Sequence, residues 1–104
     1  MQRGEVWWAR LGRTAKTRPV LLLSRDAAYQ WRTMITIAPL STRVRGIRAE
    51  VRFAKEDGFP QDCAVNLDSI QTIYKALLTN RIAVLTSERM AEVDRAIKFA
   101  LNLK

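Results

Sequence analysis

Only one stretch of this chain repeats its apolar residues at helical spacing, and it comes last. Met90, Val93, Ile97, Ala100 and Leu101 recur along one helix face, with Glu88, Glu92, Asp94, Arg95 and Lys98 pointing elsewhere. Thr86 or Ser87 supplies the hydroxyl that caps its start. Everything before it is a series of short apolar runs, of strand rather than helix length. Val6-Trp7-Trp8-Ala9-Arg10-Leu11 reads as the first strand, with Trp8 facing the core and Trp7 the outside, or the reverse. Arg18 to Leu23 is the second, a buried strand by its apolar run, and Thr33 to Ala38 the third, broken by Pro39. Ala49 to Phe53 alternates like a half-buried strand. Cys63 to Leu67, Ile70 to Ile73 and Arg81 to Leu85 complete the set, and Ser24 to Arg32 leaves room for one helical turn. This order predicts an α+β, mostly β domain: a small, strongly bent antiparallel sheet or partial barrel with one helix packed on its side. At 104 residues the chain is a single domain, residues 1–104, and dimerisation through an apolar face is expected.

No apolar run approaches the roughly 20 residues of a membrane span. Gln2-Arg3-Gly4-Glu5 leads directly into Val6-Trp7-Trp8, without a secretory pattern, so the cytoplasm is the expected location. Cys63 is the only cysteine and sits beside Ala64 and Val65, where a small buried hydrophobe is expected. Histidine is absent. One Cys and no His argue against zinc and exclude His-dependent nucleophilic catalysis within the chain; no metal or cofactor is expected.

The net charge is +8, and all of it lies in the first half. Residues 1–52 hold eleven basic residues against three acidic ones, whereas residues 53–104 hold seven of each. Ten of the eleven are Arg, the side chain that grips phosphate bidentately and stacks on bases. A polyanion, here nucleic acid, is the expected partner. Arg13 and Lys16 lie in a compact loop after the first strand, Arg25 follows the second, and Arg43 and Arg45 lie in a loop after the third.

Arg18 stands out within this half. Pro19 fixes its own φ and biases Arg18 toward extended backbone at the mouth of the second strand. Leu40-Ser41-Thr42 follows the third strand, so one strand end offers a guanidinium and another offers hydroxyls. Both suit a single phosphate. The basic half has no cluster of carboxylates for metal-assisted cleavage. RNA needs none, because its own 2′-OH can attack the adjacent phosphorus. The protein then has to align the attack and stabilise the charged phosphorane. Proton transfer falls to a carboxylate such as Asp68, or to solvent.

The order of these pieces carries a family resemblance. Arg3-Gly4-Glu5-Val6-Trp7, Arg18-Pro19-Val20-Leu21, Ala38-Pro39-Leu40-Ser41-Thr42 and Val65-Asn66-Leu67-Asp68-Ser69-Ile70-Gln71-Thr72-Ile73 follow one another along the chain. With the helix start Leu85-Thr86-Ser87-Glu88-Arg89-Met90, this pattern resembles the MazF/PemK family of toxin endoribonucleases over essentially the whole length. The resemblance implies an SH3-like antiparallel β-barrel of the MazF/CcdB type with a C-terminal helix, forming a homodimer. It implies sequence-specific, metal-independent cleavage of single-stranded RNA that leaves a 2′,3′-cyclic phosphate and a 5′-OH. It places the catalytic Arg on Arg18 and the catalytic Thr on Ser41, with Thr42 beside it. Asp68, Ser69 and Gln71 fall on its RNA-binding segment. The implied partner is a small MazE-like antitoxin whose acidic, flexible tail occupies the RNA groove. The chain departs from the family in its first loop, Gly12 to Thr17, which lacks the acidic residue some members carry. Two other readings keep the fold and change the chemistry: a CcdB-like poison of DNA gyrase, and an RNA-binding barrel that does not cut.

Overall fold

The computed structural model describes residues 1–12 and 16–104. Its strands are β1 (Glu5–Arg10), β2 (Thr17–Leu22), β3 (Met34–Ser41), β4 (Glu50–Phe53), β5 (Cys63–Asn66), β6 (Gln71–Tyr74) and β7 (Leu78–Val84). Helix α1 is a single turn, Ala28–Trp31, and α2 spans Ser87–Ala100. The sheet runs in the order β4-β5-β3-β2-β1-β7, with β6 paired to β3 and every pairing antiparallel. It curls into a half-barrel with α2 packed against it through Val93 and Ala96, the expected mostly β architecture with a terminal helix.

The unbroken apolar run of β2 follows from burial on both faces. Leu21 joins a core with Leu40, Phe53, Val65 and the α2 residues Val93 and Ala96. Val20 and Leu22 point the other way, into a second core with Ile35, Ile37, Tyr29 and Ile73. Trp7 packs against that second core, and both tryptophans of β1 are only half-buried.

Two strands extend further than their sequence suggests. Strand β3 passes straight through Pro39 to Ser41. Its outer edge pairs with β6 only as far as Ile37 and with β5 only from Leu40. Pro39 lies in the gap between those ladders, where a missing N–H costs little. Strand β7 begins at Leu78 rather than Arg81. It is an edge strand on β1 with two register shifts, and its exposed Thr79 and Asn80 blur the alternation.

Thr86 is the cap of α2: its side-chain oxygen accepts from the Arg89 N–H at 3.2 Å. Arg89 then ties α2 to the turn after β4. It donates through Nε and a terminal nitrogen to the two carboxylate oxygens of Asp57, at 2.9 and 3.1 Å. Asp57 also accepts from the Ala54 N–H at 2.9 Å. The Arg89 contact, with the Ala54 bond behind it, holds the Asp57 carboxyl below the usual carboxylate range. Asp57→Asn should therefore lower unfolding free energy at neutral pH by about 1.5–3 kcal/mol, the scale for charged hydrogen bonds. The sign follows from the lowered value. The stabilisation is complete above the ordinary Asp range and disappears as pH falls through the folded-state value. Denaturant melts of both proteins should show the difference at pH 7 and its shrinkage in strong acid.

Candidate active site

The cleft arises where the β2–β3 ladder stops. That ladder covers only Leu22↔Ile37, Leu21↔Ala38 and Val20↔Pro39. The next residue of β2 is Pro19, which has no N–H to extend the pairing. From there the strands part company. Pro19 and Arg18 stay with β1, opposite Trp8 and Ala9. Leu40 and Ser41 go with β5, opposite Val65 and Ala64. Between the diverging ends lies a cavity of about 190 Å³. Arg18 borders it on one side and Ser41 and Thr42 on the other, with Trp8, Phe59 and Gln61 among its other wall residues. The residues expected to share one phosphate thus face one space.

Ser41 and Thr42 are not equivalent. Ser41 Oγ accepts from the Arg43 N–H at 3.0 Å, which fixes the oxygen and leaves its own hydrogen available for donation. Ser41 also borders a second, smaller cleft of about 100 Å³, shared with Arg43, Arg45, Glu50, Asn66 and Ser69. It stands between the two spaces, whereas Thr42 borders only the first.

Glu50 organises the second cleft. One of its oxygens accepts from the backbone N–H groups of Arg45 at 3.0 Å, Gly46 at 2.9 Å and Ile47 at 3.4 Å. The loop turns through Gly46 at φ 70°, a conformation that suits glycine. The carboxylate thereby holds the loop that carries Arg43 and Arg45. Sequence reasoning missed Glu50 in this role, and it missed Gln61 in the cavity wall. For Glu50 a signal existed: it is the lone acid between Ser41 and Arg52, four residues after a glycine.

The remaining expected residues are spread more widely. Ser69 lines the second cleft, while Asp68 is exposed on the turn Leu67–Ser69 and donates its N–H to Asn66 Oδ1 at 2.9 Å. Gln71 is exposed at the start of β6, opposite Ile37. Lys16 is exposed just before β2. Arg25 lies beyond the far end of β2, and the strand from Arg18 to Leu22 alone rises about 13 Å. Arg13 lies outside the described residues.

The first cavity is lined by no carboxylate among the described residues. Glu5, the buried acid of the basic half, is used elsewhere. It accepts from Trp7 Nε1 at 2.9 Å and pairs with Arg81 at 3.4 Å. Burial alone would raise its carboxyl, but the Trp7 bond, the Gln2 backbone and nearby positive charge outweigh it and hold it low. Cys63 borders the cavity, and burial, reinforced by Asp57 and Asp62, pushes its thiol up to about 11. It is therefore a protonated, buried side chain at neutral pH, as its apolar neighbours suggest.

The whole chain aligns with known proteins. A family model described as "PemK-like, MazF-like toxin of type II toxin-antitoxin system" matches residues 2–101. Probable endoribonuclease MazF5 of Mycobacterium tuberculosis is 39% identical over 101 residues, covering 96% of this chain and 92% of that protein. Among solved structures, Mycobacterium tuberculosis toxin MazF-mt6 superposes with a TM-score of 0.87 at 33% identity, covering 96% of this chain and 98% of that one. A mycobacterial endoribonuclease in complex with its cognate antitoxin gives a TM-score of 0.89 at 27% identity, covering 100% and 97%. Carried by these matches and by the Arg18–Ser41 cleft, the chain belongs to the PemK-like, MazF-like toxins of type II toxin–antitoxin systems.

Proposed function

We propose that this toxin is an endoribonuclease that cuts single-stranded RNA at a specific sequence, without a metal ion. The observation that carries this reading is the opening between β2 and β3, which sets Arg18 and Ser41 on facing walls of one cavity. The 2′-OH of the bound nucleotide attacks the adjacent phosphorus. The bond from phosphorus to the 5′ oxygen breaks, giving a 2′,3′-cyclic phosphate and, after protonation, a 5′-OH. Arg18 donates to the non-bridging oxygens as charge builds on the phosphorane, and the Ser41 hydroxyl donates to one of them. Trp8 gives a half-buried ring against which a base can lie. The named relatives, an endoribonuclease among them, support RNA over gyrase as the target.

Proton transfer runs through solvent in this scheme. The cavity presents no carboxylate among its described residues, its thiol stays protonated, and Asp68 does not border it. The rate should therefore rise steadily with pH, about tenfold per unit, without the bend a side-chain base would impose. The test is single-stranded RNA incubated with the protein in EDTA across a pH series. Cyclic-phosphate ends and a straight pH profile are expected. A bend near neutral pH would return the proton to a side chain, and RNA left intact across varied sequences would remove the nuclease reading.

The expected partners fit the same surface. A MazE-like antitoxin with an acidic tail would meet Arg18, Arg43 and Arg45 in the two clefts, in keeping with the neighbour solved with its cognate antitoxin. The toxin would work in the cytoplasm, where its RNA is. Homodimerisation has a candidate face: Met34 and Tyr74 pair across β3 and β6, both exposed, with Trp31 three residues before Met34 and 82% exposed.

A further inference from the structure

A second basic surface begins where the clefts end. Ser41 pairs with Ala64, and Ala64 pairs with Arg52 on the next strand. Directly paired residues share a sheet face, so Ser41, the small Ala64 and Arg52 form one row about 10 Å across. Glu50 borders both the second cleft and a larger groove of about 490 Å³ between β4 and α2. Arg48, Arg52, Arg95 and Phe99 line that groove, and Lys98 joins them in an adjoining one. The Arg48 guanidinium lies 4.4 Å from the centre of the Phe99 ring, which is 46% exposed.

The acids near this groove are already engaged. Glu50 holds the loop backbone, and Glu92 pairs with Arg89 at 2.8 Å. Arg48, Arg52, Arg95 and Lys98 are exposed and have no ion pair among the described residues. Four uncompensated cations around an accessible ring match the chemistry of single-stranded nucleic acid, which offers phosphates and π-faces together. An acidic peptide would use the charges but has no need of a guanidinium already stacked on a ring.

We infer that the groove between β4 and α2 is an extended RNA-binding track, in which Arg48, Arg52 and Arg95 hold phosphates and the Arg48–Phe99 stack supports a base of the strand flanking the cut. The inference rests on the endoribonuclease reading. It predicts that affinity depends on RNA length, because only a strand that reaches past Ala64 gains these contacts.

The probes are fully 2′-O-methylated RNAs, which cannot be cut, in a short and a long version, followed by fluorescence anisotropy. Combining Arg48→Ala, Arg52→Ala and Arg95→Ala should weaken the long RNA about tenfold or more and leave the short one nearly unaffected. The slope of log affinity against log salt should fall by about two units for the long RNA, at about 0.7 per lost phosphate contact. Phe99→Ala alone should weaken the long RNA without changing the slope. Equal affinities and slopes in the wild type and the triple variant would overturn the track. So would unchanged RNA binding with weakened binding of polyglutamate, which would assign the groove to an acidic protein. Cleavage of ordinary RNA by the wild type is scored separately. Track-dependent binding without cleavage sinks the nuclease reading alone, and cleavage with track-independent binding sinks the track alone.

Discussion

Replacing Arg18 with Ala is expected to slow RNA cleavage about a thousandfold, the scale of losing one preorganised donor to a phosphorane. The fold should be untouched. Arg18 is exposed at the start of β2 and makes no side-chain hydrogen bond or ion pair among the described residues, so its truncation leaves no buried group without a partner. Arg18→Lys sharpens the result. Lysine keeps the charge but loses the planar fork, so activity should fall between wild type and Ala. Full activity in Arg18→Ala, with the melting temperature unchanged, would move the phosphate elsewhere. Equal activity in the Lys variant would mean that charge alone matters at this wall of the cavity.

The second large effect separates two adjacent hydroxyls. Ser41→Ala should cost about a hundredfold in kcat, and Thr42→Ala less than about tenfold. The reason is the turn at Arg43. Its N–H pins Ser41 Oγ and leaves the serine hydrogen free to donate toward the space shared with Arg18. Single-turnover cleavage under saturating protein reads the chemical step for both variants. The reverse order of effects would make Thr42 the donor and Ser41 a turn former. Ser41→Thr, which preserves the hydroxyl, should retain most of the rate.

Much of this arrangement could be read in the residues, and the parts that could not share a cause. The strand-length runs, the capped terminal helix and the doubly buried β2 are local signals, and each appears in the fold. Arg18 and Ser41 were legible as strand ends with complementary chemistry, and the cavity does bring them together. Pro39 misled because a proline ends a strand only when its N–H is needed. In β3 it falls where the neighbouring edge changes from β6 to β5, a fact no local window contains. Glu50 left only the trace of a lone acid four residues after a glycine, since its carboxylate acts on backbone groups three to five residues earlier rather than on a charge. Arg25 shows the limit of counting charge along the chain. It belongs to the basic half but sits past the opposite end of β2 from Arg18.

The parting of β2 and β3 has a consequence for protein engineering. A slot here is made by withholding one backbone donor, at Pro19 where the next bond to β3 would form, while each strand keeps its other neighbour. Nothing has to be inserted, and the walls stay as stiff as the sheet that bears them. The same recipe should open a rigid crevice in an unrelated antiparallel sheet, provided each of the two strands has another neighbour to hold it and the proline's missing donor faces the intended gap. What is then placed on the two freed ends would set the chemistry of the crevice.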